Sequence, residues 1–444
     1  FDEDQKQVAK LGISGKAVEP FSMLCFDDSP ERNLLRSEKF INEKFPQKSL
    51  TFTFNKKENS KRIRVGYFSA DFHNHATMYL MAQIFVEHDK KQFEIFAYSY
   101  GPDKQDEMRN MLISCVDAFY NARDMKNDEI VELARADKLD IAIDLKGFTK
   151  DHRLKLFSHG LAPIQISYLG YPGTLGGNFI DYLVADPIVI PEEKLKQYSE
   201  KIIFLPNTYQ PTDNKRVISK KVIKREDMGL PRDGFVFCCF NNNYKITPKE
   251  FDIWMQILEQ ENNSVLWLLK SNLWAEKNLK KEAEARGICE SRLIFAKRVP
   301  QAEHLARYRL ADLFIDTFNI NAHTTASDAL WAGLPVVTKL GQGFASRVAG
   351  SLLHAVGLQE LVTNNKHDYK TLILKLAKNK KMLSKIKEQL AYNISSQPLF
   401  DSKLYTKHLE NGYLTAYQNY INGNDARNII VSKTNHTRSR EKKL

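Results

Sequence analysis

Short apolar runs alternate with amphipathic stretches along most of this chain. Runs at 62–69, 93–100, 140–144, 164–169, 182–185 and 202–205 have the length and the β-branched and aromatic content of buried strands. A second set follows at 235–240, 265–269, 293–296, 313–316 and 336–339. Between them apolar residues return at helical spacing, predicting helices over 77–87, 128–136, 248–261, 301–310 and 345–355. Alternation of this kind predicts parallel sheets covered by helices on both faces. Pro206, Pro211 and a run of cations interrupt the pattern near 206–232. The chain therefore reads as two doubly wound, Rossmann-like α/β domains facing a central cleft. The expected division is a helical lead-in over 1–55, a first domain over 56–206, a linker over 207–232 and a second domain over 233–400. Long charged helices are expected near 367–392 and 402–421, and 401–444 reads as a closing helix with a disordered basic tail.

Composition narrows the class. The 444 residues allow two or three domains, and 43% hydrophobic with 27% charged residues fits a globular protein. No window approaches 18 consecutive apolar residues, so no membrane span or membrane partner is expected. The start at Phe1, without a basic and then apolar leader, predicts a fragment or a processed chain. Cys25, Cys115, Cys238, Cys239 and Cys289 are odd in number and lack metal-ligand spacing, which predicts reduced thiols and a cytoplasmic setting. The net charge is +11, but the cations are scattered among acids. The basic run over 215–225 reads as an exposed interdomain loop, and a cleft for a phosphorylated small molecule explains the balance without nucleic acid.

Candidate chemistry gathers just after predicted strands. Asn321-Ala322-His323-Thr324-Thr325 follows one strand and opens a helix, where free N–H groups, two hydroxyls and the positive end of the helix dipole suit a phosphate. Thr324 or Thr325 as a plain helix cap explains the same residues. Asp328, one turn further in, is placed to accept from a ribose hydroxyl. Lys245, after Asn241-Asn242-Asn243-Tyr244 and before a Thr-Pro helix start, is placed to reach a diphosphate, with a solvated lysine as the alternative. His304, near a helix start after Val299 and Pro300, either stacks on a flat base or sits half-buried. On the first domain, Asp71-Phe72-His73-Asn74-His75 supplies a candidate base at a strand-to-helix turn, or else ordinary turn and cap residues. Asp144, ahead of Gly147, is a strand-end carboxylate that turn chemistry explains equally. Leu169-Gly170-Tyr171-Pro172-Gly173 forms a loop whose backbone can approach a ligand. No GxxxxGK[ST] loop occurs, Gly341-Gln342-Gly343 lacks the third glycine of a dinucleotide fingerprint, and Asp-x-Asp appears only at Asp2 and Asp4. These absences disfavour an NTPase, a dehydrogenase and a metal-bound diphosphate, and neither a metal nor a cofactor is expected.

Ten segments, in order, carry a resemblance: SADFHNHAT, DLKGFTK, APIQISYLGYPGT, IDYLVAD, YSEKIIFLPNTY, FNNNYKITP, SVLWLLK, HTTASDALWAGLPVVT, ASRVAGSLL and SSQPLFD. Together they cover about 61–405, and the chain resembles the catalytic region of the O-GlcNAc transferases. The short link after Pro206 resembles bacterial members, and the lead-in resembles the junction that follows upstream tetratricopeptide repeats. The resemblance implies a GT-B glycosyltransferase that moves GlcNAc from UDP-GlcNAc to Ser and Thr hydroxyls of acceptor proteins, inverting the anomeric centre without a metal. It implies that His323, Thr324 and Thr325 contact the diphosphate and sugar, that Asp328 holds the ribose, and that Lys245 meets the UDP leaving group. His304 would stack on uracil and Val299 would read it through backbone atoms. Leu169, Gly170 and Pro172 would border sugar and acceptor, and His75 would face the reacting centre as first candidate for the base, ahead of Asp144 or a water relay to phosphate. Two positions depart from many animal members: Asn242 replaces Gln beside the diphosphate, and Gln301 replaces a Lys near the nucleotide. Protein O-fucosylation, transfer to Asn and an inactive nucleotide-sugar-binding scaffold are the other readings of the same fold. His323 stands where a fucose-transferring plant branch resembles Gly-Thr-Thr-Thr, and it favours GlcNAc.

Overall fold

The computed structural model describes residues 6–45 and 62–433. The acids at Asp2 and Asp4 and most of the basic tail lie outside those residues. Two all-parallel sheets are present. The first, in spatial order β14-β7-β6-β5-β4-β1-β2-β3, comprises β1 (Ile63–Ser69), β2 (Phe93–Ser99), β3 (Ala118–Asn121), β4 (Ile141–Asp144), β5 (Ile164–Ser167), β6 (Tyr182–Ala185), β7 (Lys201–Phe204) and β14 (Ile429–Ile430). The second, ordered β10-β9-β8-β11-β12-β13, comprises β8 (Phe235–Cys239), β9 (Ser264–Leu269), β10 (Leu293–Ala296), β11 (Leu313–Ile315), β12 (Val336–Lys339) and β13 (Val362–Thr363). The doubly wound expectation is met.

Both faces of the first sheet are buried, which is why its strands read as continuous apolar runs. Val65, Tyr67, Ile95, Ile143 and Ile166 pack on one side, and Phe68, Phe96, Tyr98 and Ala142 on the other. The second core, around Phe237, Trp254, Leu266, Phe314 and Leu352, also takes in Leu183, Val189 and Tyr209 from the first half, so apolar packing runs across the junction.

Helices begin where side chains satisfy free N–H groups. α1 (Pro20–Met23) and α2 (Pro30–Lys44) form the lead-in, with Ser29 accepting from Arg32 N. α3 (Ala76–Glu87), α4 (Glu107–Cys115) and α5 (Asn127–Ala136) belong to the first half. α6 (Pro248–Gln260) starts with a Thr247–Glu250 capping box. α7 (Leu273–Glu284), α8 (Gln301–Arg307), α9 (Thr324–Trp331) and α10 (Val348–Ala355) follow. The single charged helix expected over 367–392 is two: α11 (Lys366–Lys378) and α12 (Lys380–Ser396) break at Asn379, whose backbone leaves the helical region and whose side chain accepts from Met382 N to cap the second.

The closing helix α13 (Ser402–Ile421) returns to the first half. Tyr405, Leu409, Tyr413 and Ala416 enter the first core, and β14 pairs with β7. The outgoing and returning crossovers are hydrogen-bonded to each other: Asn214 Nδ2 donates to Phe400 O at 3.0 Å, and Ser402 Oγ to Thr212 O at 2.9 Å. The lead-in also spans both halves. Phe40 and Ile41 pack with Phe148 in the first half, while Asp28 accepts from Gln342 N at 2.7 Å and Gly343 N at 2.9 Å in the second. Among the described residues no helix is long and apolar enough to cross a membrane, and the five cysteines are free.

Candidate active site

The strand order of the second sheet reverses between β8 and β11, so the loops leaving these neighbours diverge and open a crevice. Asp316, fully buried at the end of β11, organises both loops. Its Oδ1 accepts from Ala322 N at 2.6 Å, Thr317 N at 2.8 Å and Asn241 Nδ2 at 3.1 Å, and its Oδ2 from Thr338 Oγ1 at 2.7 Å. Burial raises the Asp316 carboxyl to about 6 despite those donors. Sequence reasoning missed Asp316; an acid closing an otherwise apolar strand was its only signal.

Lys245 stands on a turn over Asn243–Lys245, half-buried, with Nζ donating to Asn321 O at 2.8 Å. Burial lowers its ammonium to about 8, against the pull of the Asp316 charge. His323 occupies the N-cap position of α9, but its ring does not cap: Nε2 meets Ala345 O at 3.0 Å. A carbonyl only accepts, so Nε2 carries the hydrogen. Burial, and secondly the Lys245 charge, lower the ring to about 3, leaving neutral imidazole with Nδ1 as an acceptor. The cap reading of Thr324 and Thr325 also gives way. Thr325 Oγ1 donates to Asn241 Oδ1, and the first α9 amides bonded to backbone are Ala326 and Ser327, both to His323 O. The Thr324 and Thr325 amides therefore head the helix without a backbone acceptor. A cation, open N–H groups and a neutral acceptor thus share one rim. Asn242 lies beside them, its Oδ1 accepting from Ser271 Oγ at 3.2 Å.

A second group adjoins α9. Asp328, 4% exposed, forms a salt bridge with Arg216, whose Nη2 also donates to Ser327 Oγ at 3.2 Å. The His304 Nε2 atom lies 4.0 Å from Asp328 Oδ2. Its Nδ1 is paired with Arg307 Nη2, and burial followed by the Arg307 and Arg298 charges lowers the ring to about 3, so Nε2 holds the hydrogen. One side of the His304 ring is already packed, against Phe240 at 5.5 Å and Tyr308 at 5.1 Å between centroids. Val299, half-buried, precedes α8 on the same loop. Gln301 stands close to the Asp328 carboxylate, its Nε2 buried without a well-formed hydrogen bond. The exposed-loop expectation for 215–225 is overturned at two points. Arg216 is 7% exposed, and Arg225 donates to Asp312 Oδ2 at 2.8 Å, because each guanidinium finds a carboxylate of the second half.

In the first sheet the order reverses between β1 and β4, and the loops after these strands carry its polar cluster. Lys146 and Asp71 form a buried ion pair, Nζ to Oδ2 at 2.6 Å, which sequence reasoning missed. His75 is the N-cap of α3, with Nδ1 accepting from Thr77 N at 3.2 Å and lying 3.5 Å from Asp71 Oδ2. Burial above all keeps this imidazole neutral. A neutral ring that accepts at Nδ1 carries its hydrogen on Nε2. The expectation of a base at His75 is thus modified: in this state Nε2 donates. Asp144 is 1% exposed, with Oδ1 accepting from Lys146 N and Oδ2 from Gly147 N, each at 2.9 Å. Burial raises it to about 6, and each of its oxygens accepts one of the two turn N–H groups. Leu169 has φ +70° and packs on both cores. Gly170 is required there, because a Cβ would lie 2.1 Å from Leu145 O. Pro172 is buried rather than lining an open surface.

The two clusters face each other. Gln210 Nε2 reaches His323 O at 3.4 Å, and Tyr79, one turn beyond His75, feels the Asp328 charge after its own burial and two nearer acids. Among the described residues no group of three or more His, Cys, Asp or Glu side chains is arranged to hold a metal ion.

Comparison with known proteins agrees with this geometry. The probable UDP-N-acetylglucosamine–peptide N-acetylglucosaminyltransferase SEC of Arabidopsis thaliana is 37% identical over 84% of this chain and 39% of its own length. The UDP-N-acetylglucosamine–peptide N-acetylglucosaminyltransferase of Caenorhabditis elegans is 26% identical over 94% of the chain and 45% of its own length. The chain thus spans less than half the length of these relatives. A solved O-GlcNAc transferase mutant of Thermobaculum terrenum superposes with a TM-score of 0.84 at 27% identity, covering 91% of this chain and 77% of that one. Anabaena HepE, solved with UDP and glucose, shares the fold alone, at 13% identity and a TM-score of 0.54. The two facing parallel sheets are the GT-B fold. The profile of glycosyl transferase family 41 matches residues 38–223 and 216–409, and the chain belongs to that family.

Proposed function

We propose that this chain transfers GlcNAc from UDP-GlcNAc to Ser and Thr hydroxyls of proteins, with inversion at the anomeric carbon. The observation that carries the reading is the rim of the second sheet. There Lys245, the open Thr324 and Thr325 amides and the neutral His323 ring converge. On this reading the second half grips the nucleotide sugar and the first half receives the acceptor. As the acceptor hydroxyl attacks, negative charge builds on the β-phosphate. Lys245 and the start of α9 are fixed beforehand to meet it, so no metal is needed for that charge. His323 Nδ1 accepts from a sugar hydroxyl or amide, and Asp328 from the ribose. Asn242 contacts the diphosphate rim through a shorter side chain than Gln would provide. Val299 contacts the base through its backbone, and uracil stacks on the His304 face turned away from Phe240. Leu169 and Gly170, held beside both cores, border the sugar, with Pro172 buttressing them from beneath. His75 orients the reacting groups through Nε2–H, and the acceptor proton leaves through water to a phosphate oxygen.

The test is to incubate the purified chain with a panel of radiolabelled sugar nucleotides and a protein extract, then count protein-bound label. Label from UDP-GlcNAc is expected. Label from GDP-fucose with none from UDP-GlcNAc would reassign the sugar, and no label from any donor would leave a binding scaffold.

A further inference from the structure

Arg216 lies in the crossover between the sheets, where a run of cations would ordinarily be solvated. Instead its guanidinium is buried and fully engaged. Nη1 pairs with Asp328 Oδ1, Nη2 donates to Ser327 Oγ at 3.2 Å and Nε to Asp213 O at 3.1 Å, while Trp331 Nε1 donates to Arg216 O at 3.2 Å. The crossover is thereby stitched to the exposed end and the inner face of α9 at once. The Asp328 carboxylate is divided between two jobs. Oδ1 is held by Arg216, whereas His304 Nε2 lies 4.0 Å from Oδ2, outside hydrogen-bonding distance. Gln301 Nε2 stands by, also without a well-formed partner. The result is a buried carboxylate with two donors, His304 Nε2 and Gln301 Nε2, close by its Arg216-bound head.

We propose that Arg216 is a positioning residue for the nucleotide: it fixes Asp328 through Oδ1 so that Oδ2 is presented to the ribose hydroxyls. The inference rests on the donor reading given above for Asp328. A carboxylate this deeply buried would favour its neutral form, and burial does raise it, with Arg216 as the main opposing influence. Without the guanidinium, Asp328 loses its fixed rotamer and the main influence favouring its charged form, and a mobile acid pushed toward its neutral form is a poorer acceptor for a diol. Arg216 itself touches no substrate; it acts through Asp328. Because it sits on the crossover, it also makes ribose recognition depend on how that crossover is seated.

The experiment measures binding of UDP, 2′-deoxy-UDP and 3′-deoxy-UDP by calorimetry to the wild-type chain and to Arg216→Met, Arg216→Lys and Asp328→Asn. Wild type is expected to prefer UDP over at least one deoxy nucleotide by about tenfold, the scale of a hydrogen bond to a charged acceptor. Arg216→Met and Asp328→Asn should both collapse that ratio toward one, with weaker UDP binding and deoxy-UDP binding nearly unchanged, and Arg216→Lys should recover part of it. With UDP-GlcNAc as substrate, the Met variant should raise KM more than it lowers kcat. Should Arg216→Met not fold, Arg216→Gln, which keeps a donor for Ser327, carries the same expectation. A wild-type UDP-to-deoxy-UDP ratio in folded Met or Gln variants overturns the inference. Wild-type protein that binds UDP without distinguishing the deoxy forms overturns the role of Asp328 instead, and wild-type protein that does not bind UDP overturns the functional reading itself.

Discussion

Replacing Lys245 with Ala removes a cation that donates into the loops of the second-sheet crevice. Burial lowers this ammonium from 10.5 to about 8, so its charge is held at a cost of about 3 kcal/mol. A diphosphate relieves that cost by supplying the counter-charge that Asn321 O supplies only in part. Loss of one preorganised donor to a developing oxyanion costs roughly 3–4 kcal/mol, or about two to three orders of magnitude in kcat. The fold should not suffer, because the truncation deletes an unfavourably buried charge and leaves Asn321 O, a backbone carbonyl, able to take water. The expected outcome is therefore a drop of about 10²-fold or more in label transfer from UDP-GlcNAc at saturating donor, with an unchanged melting temperature. The pH profile supplies an independent check. Lys245 is charged below its folded value and neutral above it, so wild-type kcat/KM should fall as pH rises through about 8, and the Ala variant should lose that limb. Turnover by Lys245→Ala within about threefold of wild type would remove the leaving-group assignment. So would an alkaline limb that survives the substitution.

Two further substitutions separate packing from chemistry. His75→Asn keeps an acceptor for Thr77 N, so stability should be held within about 1 kcal/mol while transfer falls strongly; His75→Ala should lose both, and near-normal transfer by the Asn variant would make His75 a helix cap only. Gly170→Ala places a Cβ against the Leu145 carbonyl, and the overpacking, about 1–3 kcal/mol, should lower the melting temperature and the donor affinity together; a variant matching wild type in both would show that the Leu169–Gly173 loop yields freely.

Much of this architecture is legible in the chain because parallel strands buried on both faces must be apolar runs, and most runs of the second sheet are followed by a helix. The elements that escaped are those whose own residues carry little pattern. β3 is half-exposed at an edge, β13 and β14 have two residues each, and α4 and α7 bury only one face of a short length. The break at Asn379 is a local cap inside a continuous charged pattern, invisible to periodicity.

The site divides along the same line. His323, Thr324, Thr325, Asp328 and Lys245 could be picked out in advance, since strand ends followed by helix starts are where such folds bind ligands. The chain by itself also carried the ordered segments that mark the family. What only the tertiary structure decided is the state of those groups. Whether His75 donates or accepts depends on Thr77 N, the tautomer of His323 on Ala345 O, and the readiness of Asp328 on Arg216, 112 residues away in sequence. Asp144 reads either as a reactive acid or as a turn residue, and only the fold shows two backbone N–H groups donating to its oxygens. The reason is physical. Residue type limits what a side chain can do, but protonation state and direction follow from burial and from the partner facing it, and those partners come from strands and crossovers that meet only when the chain is folded.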